Sequence, residues 1–268
     1  MAVSMQSKLS LSPAQRYWEL LRVFVERNLS ARYRGSFLGV FWSLLNPLTM
    51  TALYTALFGT AFASAYGNSI LNYALAAFSG LVIVNFFSAA TTQALTSVVA
   101  NGSLLNKIRL PVSVFPVAAN VANVFQFAVG PLPLLAVTTL VISKNPLNVL
   151  ALLLPLLALT LFSLGVGLFV STLYVFFRDL PYFYELVVFV LWMSTPVFYP
   201  ASIVPPQVKQ FLALNPLTPI VESTRQIVLS GHLPDIGLIF GALVGSFIVF
   251  GLGWSCFQLW RSQFMDLL

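Results

Sequence analysis

The chain has 268 residues, of which 59% are hydrophobic and only 7% charged. A soluble domain carries about 25% charged residues, so this composition excludes a soluble enzyme and describes an integral membrane protein whose single bundle takes up the whole length. The net charge of +6 comes without any basic run; the cations flank hydrophobic segments, as membrane topology requires, and nucleic-acid binding is not expected. The lone Cys256 excludes an intrachain disulfide.

Residues 1–11 lack an apolar core, so no cleavable signal is expected and the N-terminus is placed in the cytoplasm. Ser12–Pro13 reads as an N-cap followed by proline at the first helical position. Beyond it Tyr17, Leu20, Leu21, Phe24 and Val25 fall on one side and Arg16, Glu19, Arg22, Glu26 and Arg27 largely on the other. That period predicts an amphipathic helix over 12–31 lying in the membrane interface, since its charges forbid spanning. At 32–48, RYRGSFLGVFWSLLNPL, two cations and a Gly35 break give way to a long uncharged run, which marks the passage from an aqueous surface into lipid.

Six spans are predicted, over about residues 37–63, 73–100, 112–142, 147–177, 182–199 and 236–260. The third contains Pro116, Pro131 and Pro133, which invite kinks. The fifth is the shortest. Residues 201–235 differ in character, with five prolines and two short helical patterns, about 208–214 and 219–229, the second with Thr218 as its cap and Gly231 beyond its stop. Neither spans alone, and the pair reads as a re-entrant dip. With both ends inside, ten cations (Lys8, Arg16, Arg22, Arg27, Arg32, Arg34, Lys107, Arg109, Arg178, Arg261) lie on the cytoplasmic side and three (Lys144, Lys209, Arg225) outside. The opposite orientation would reverse that bias.

The chain has no GxxxxGK[ST] phosphate loop, so ATP is not bound by that device. One histidine, His232, and one cysteine argue against a metal site. No ionisable residue lies in mid-span, Glu185 coming nearest, which argues against a proton- or sodium-driven transporter. Arg178, Asp179 and Glu185 read as helix-end electrostatics rather than as a catalytic group; no catalytic residue is expected.

Other signals concern packing and lining. Gly237, Gly241 and Gly245 repeat every four residues on the last span, and are read as a close contact inside the subunit in preference to a dimer contact. Asn120, Asn123 and Phe127 share a face with Gln126 alongside, amides suited to hydrogen bonds between helices, with channel lining as the lesser reading. Aromatics are abundant, and most serve lipid and interface. Yet Tyr54, Phe58 and Phe62 fall at i, i+4 and i+8, and the fifth segment carries Phe183, Tyr184, Trp192, Phe198 and Tyr199. An uncharged conduit of aromatic faces suits sugar rings and holds them weakly at many places.

Two blocks, 32–48 and 215–231 (NPLTPIVESTRQIVLSG), resemble the permease subunits of ABC transporters that export polysaccharide, the Wzm-like O-antigen, capsule and teichoic acid exporters. The pattern covers nearly the whole chain. The resemblance implies an all-α permease of six spans, working as a homodimer around a channel, with a separate cytoplasmic ATPase subunit that binds ATP and Mg; no cofactor is implied in this chain. It implies that Asn101, Gly102, Ser103, Leu104, Leu105, Asn106, Lys107, Ile108, Arg109 and Leu110 form the cytoplasmic coupling helix. It places Arg32, Tyr33 and Arg34 where a lipid-diphosphate headgroup would enter, the first and fifth spans along the channel, and Asn215, Pro216, Glu222 and Arg225 in an external gate. The implied cargo is a lipid-linked polysaccharide, on undecaprenyl diphosphate in the O-antigen case, and the implied location the bacterial inner membrane.

Overall fold

The computed structural model describes residues 12–108, 110–200, 203–213, 215–229 and 235–267, and these form helices, turns and loops with no strand. Helix α1 is Pro13–Tyr33. A reciprocal capping box opens it: the Ser12 amide donates to Gln15 Oε1 (2.9 Å) and the Gln15 amide to Ser12 Oγ (3.3 Å). Leu21 and Phe24 are buried while Arg22 and Glu26 form an exposed pair at 2.8 Å, so the apolar stripe read from the sequence is the packed one. That stripe rests on α5 (Val114–Val129), with Phe24 edge-on to Phe115 at 4.9 Å.

The elbow after α1 turns through Gly35 and Gly39, both at positive φ (76° and 51°), where a side chain would be strained. A 3-10 turn, Gly39–Phe41, then feeds α2, Trp42–Phe62. A second 3-10 turn, Ala63–Tyr66, with Gly67 left-handed, leads to α3, Ile70–Ala100. The two neighbours have opposite environments. Two-thirds (67%) of the apolar window of α3 is buried inside the protein, against 11% for the α2 span. Helix α3 is the centre of the bundle: α2, α5, α8 (Leu153–Phe176) and α11 (Leu217–Leu229) all pack on it.

Glycines set the tightest contacts. A Cβ on Gly165 of α8 would lie 2.6 Å from the Phe250 backbone of α12 (Ile236–Trp260), and one on Gly253 would strike the Gly165 carbonyl. A Cβ on Gly167, on the other side of α8, would lie 2.7 Å from Ala94 of α3. Inside a membrane, where lipid is as apolar as leucine, close approach of this kind supplies the dispersion energy that holds helices together. The expected contact through Gly237, Gly241 and Gly245 is corrected: Gly241 and Gly245 meet nothing within 4 Å and Gly237 meets only Asp235 of its own cap. The helix instead turns Gly253 inward, two turns beyond that repeat, because α8 presents its matching glycine there.

The third segment bends by 43° between α5 and α6 (Pro131–Ser143). The bend falls at Gly130, not at each proline. Pro116 and Pro133 sit in first turns, whose amides need no partner, and so break nothing. The fourth segment has a short first piece, α7 (Pro146–Ala151), before α8. Helix α9, Leu180–Ser194, has 15 residues, about 22 Å at 1.5 Å per residue, short of a hydrocarbon core of about 30 Å. Helix α10 is Pro206–Ala213. Helix α11 is capped by the Asn215 side chain, which accepts from the Leu217 amide at 2.9 Å, and not by Thr218, whose hydroxyl donates back to the Leu212 carbonyl at 3.2 Å. Gly231 lies outside the described residues. Among the described residues four helices are long and apolar enough to cross a membrane, or up to five with the bent pair as one span.

Candidate functional site

Where α1 ends, its last turn leans over the middle of α3 and the far half of α5, and a cleft of about 590 Å³ opens between them, the start of α2 and the Gly130–Pro131 break. Arg32 and Tyr33 line it together with Ser43, Asn46, Asn85, Asn123 and Gln126, and with the rings of Trp42, Phe86 and Phe127. Arg32 donates to Asn123 Oδ1 at 3.3 Å and to Gln126 Oε1. Asn123 in turn donates to Gln93 Oε1 (3.0 Å) and to the Ala119 carbonyl (2.7 Å). A second cleft of about 440 Å³ shares Arg32 and reaches to Asn28, Arg27 and Asn101. There Arg27 donates to Asn101 Oδ1 at 2.7 Å, while Asn101 Nδ2 donates to the Ser97 carbonyl at 2.7 Å.

Among the described residues no Asp or Glu lines either cleft. Both guanidinium groups are therefore held by neutral oxygens, which satisfy donors without cancelling charge. The result is a polar wall of amides around uncompensated positive charge, with aromatic faces beside it. Such a surface is suited to an anion flanked by hydroxyl groups. Of the three residues expected at the headgroup, Arg32 and Tyr33 line the larger cleft and Arg34, the exposed C-cap of α1, lines neither. The amides of α5 do bond between helices, as expected, except that Asn120 Nδ2 has no hydrogen-bond partner. Gln93 and Asn85, on α3, gave no signal in sequence.

The aromatic residues of α2 form a rail. Tyr54, Phe58 and Phe62 stack in turn, with successive centroids 6.0 Å apart. Phe198, beyond the end of α9, lies on Tyr54 at 3.6 Å and edge-on to Trp192 at 5.3 Å. Tyr199 is half-buried and Phe183 is exposed on α9. Tyr184 is placed otherwise: it is buried against Leu95 and Val170, so its ring belongs to packing between α3, α8 and α9 and is removed from the candidate lining.

The proposed coupling segment is a single helical turn, Gly102–Leu105, at the end of α3. Gly102 and Leu105 are buried, Leu104 packs on the same cluster as Phe24 and Phe115, and Ser103, Asn106, Lys107 and Ile108 are exposed. Leu110 is half-buried; Arg109 lies outside the described residues.

Arg225, counted from sequence among the outside cations and placed by the resemblance in the external gate, is 5% exposed. It donates to the carbonyls of Pro196 (2.7 Å), Val197 (3.3 Å) and Ala76 (3.4 Å) and pairs with Glu222 at 3.3 Å. Asn215 donates to the Leu191 carbonyl (3.1 Å), to Ser194 Oγ and to Thr195 Oγ1 (2.9 Å each); Pro216 is exposed. Spacing alone could not separate this cation from an ordinary i, i+3 pair.

The arrangement is that of a helical membrane protein with a polar, cationic cleft at one end of an apolar bundle and an aromatic rail along it. Residues 19–229 match the family model for the ABC-2 type transporter, and the chain belongs to that family. It is similar to the O-antigen export system permease RfbA of Myxococcus xanthus, 30% identical over 93% of this chain and 95% of the relative. It is 28% identical to the protein of that name from Klebsiella pneumoniae, over 94% and 95% of the two chains. The polysialic acid transport protein KpsM of Escherichia coli is 23% identical over 81% of this chain and 86% of its own.

Proposed function

We propose that this chain is the membrane-spanning subunit of an ATP-driven exporter that moves a lipid-linked polysaccharide outward across the bacterial inner membrane. It works as a homodimer, with ATP and Mg on a separate ATPase subunit. The observation that carries this reading is the Arg32 cleft: a cation held only by neutral amides, in a pocket free of acids, where α1 meets the first span. That setting fits the diphosphate of a lipid carrier with its first sugars against the amides and the Trp42 ring. Arg34 attracts the same headgroup from the surface outside the cleft.

Six spans complete the topology, with α5 and α6 as one bent span and α9 as a short one; α10 and α11 form the outer re-entrant gate, and both termini are cytoplasmic. The glycan runs along Tyr54, Phe58, Phe62, Trp192, Phe198 and Tyr199, with Phe183 of α9 facing the second copy. The exposed tip around Lys107 docks on the ATPase, while Leu105 roots the turn in the core. The relatives with the higher identity and coverage are named for O-antigen export, which favours that cargo; a capsule or teichoic acid is the alternative.

The test is co-purification in detergent with the ATPase encoded beside this chain, followed by an ATPase assay with and without lipid-linked glycan. A stable complex whose hydrolysis responds to the glycan supports the reading. A chain that purifies alone, or a complex indifferent to every lipid-linked glycan supplied, overturns it.

A further inference from the structure

We propose that Arg225 is a positioning residue for transport: it holds the broken end of α9 so that Phe198 lies face to face on Tyr54, and thereby sets the width of the passage along α2. This rests on the reading of the α2 aromatics as the lining of that passage.

The backbone beyond α9 has a donor problem. The helix stops at Ser194, and Pro196 can neither continue it nor donate. The next carbonyls would be left unpaired in a buried stretch, where Val197 is 1% exposed and sits tight on Gly80 of α3. Side chains supply what the helix cannot. Arg225 takes the carbonyls of Pro196 and Val197 and reaches that of Ala76 on α3, and Tyr73 donates to the Phe198 carbonyl at 2.9 Å. The groups facing the guanidinium are thus three carbonyls, the Glu222 carboxylate and the Tyr66 ring, whose centroid is 5.9 Å away.

Burying a guanidinium is costly, and an apolar side chain would fill the site without that penalty. What an apolar side chain lacks is a set of charged donors: Nη2 alone reaches the three carbonyls while Nη1 holds Glu222, and Nε has no hydrogen-bond partner among the described residues, a division of donors that lysine's single nitrogen does not reproduce. Nη2 ties down the carbonyls of 196 and 197, and the next residue is Phe198. Its ring is set against Tyr54 by that backbone and by Trp192 edge-on beside it. The outer helix α11, the end of α9 and the rail on α2 are in this way linked through one side chain.

The experiment uses the full chain assembled with its ATPase in lipid nanodiscs, with Cys256→Ser as background. Tyr54→Cys with Phe198→Cys is treated with a short bifunctional thiosulfonate, alone and combined with Arg225→Lys, Arg225→Met or Tyr73→Phe. The expected result is a loss of cross-linking of about tenfold with Arg225→Met, the order set by losing a charge-assisted bond, and smaller losses with the other two. In the background without the two introduced cysteines, Arg225→Lys is expected to change glycan transport per assembled complex, a readout that a merely structural arginine would leave constant.

Unchanged cross-linking in the arginine variants overturns the clamp. Reduced cross-linking with unchanged transport per complex overturns instead the reading of the rail as the passage. Should Arg225→Met fail to assemble, Arg225→Lys and Tyr73→Phe decide the matter, and full cross-linking in both overturns the proposal.

Discussion

Arg32 and Arg225 are the same side chain put to opposite uses. Arg225 is enclosed, and two of its partners, the Pro196 and Val197 carbonyls, have no other donor among the described residues. Arg32 is half-buried beside an open cleft, and its partners are side-chain amides that rotate and bond elsewhere. The first is an internal support, the second an exchangeable contact. Burial alone does not separate the two roles; the replaceability of the partner does.

Removing Arg225 breaks the comparison most severely. Arg225→Met leaves the Pro196 and Val197 carbonyls without donors, a cost of about 3 kcal/mol, and should lower the melting temperature of the detergent-purified protein clearly. Gly165→Ala should follow, at about 2 kcal/mol for forcing α8 and α12 apart, while Gly241→Ala, on the same pair of helices but facing open space, should leave melting unchanged. Both are read in one thermal scan. Arg32→Gln should cost less than about 1 kcal/mol, because water reaches the vacated amides, yet abolish stimulation of ATP hydrolysis by lipid-linked glycan. Should stimulation survive, Arg32 is no contact for the headgroup. The smallest effect on this chain's stability is expected from Lys107→Glu with Arg109→Glu: melting unaltered, and binding to the ATPase lost in a pull-down.

The same contrast explains what the sequence could and could not tell. Apolar runs and their charged edges placed the helices within a few residues, because partition into lipid depends on composition alone. The stripe of α1 was legible for the same reason. Its cap at Ser12 was legible because capping is local chemistry. Composition did not show that α3 is shielded and α2 exposed, since lipid and protein interior select the same residues. The choice of Gly253 over Gly241 depends on where Gly165 stands on another helix. The burial of Arg225 was not legible because its carbonyl partners carry no sequence signal, and Tyr184 looked like its aromatic neighbours because only its depth differs. In the clefts, Arg32 and Tyr33 were found at the elbow, whereas Gln93 and Asn85 needed the packing of α1 over α3 to bring them into play.

In the second cleft a pair of hydrogen bonds has a mechanical meaning. Asn101 closes the last turn of α3 with its amide nitrogen and receives Arg27 of α1 with its oxygen. Helix α1 is thus bolted to the central shaft at the point where the Gly102–Leu105 turn begins. Any displacement of that turn is therefore shared at once between two rods, α1 and α3, and both of them border the Arg32 cleft.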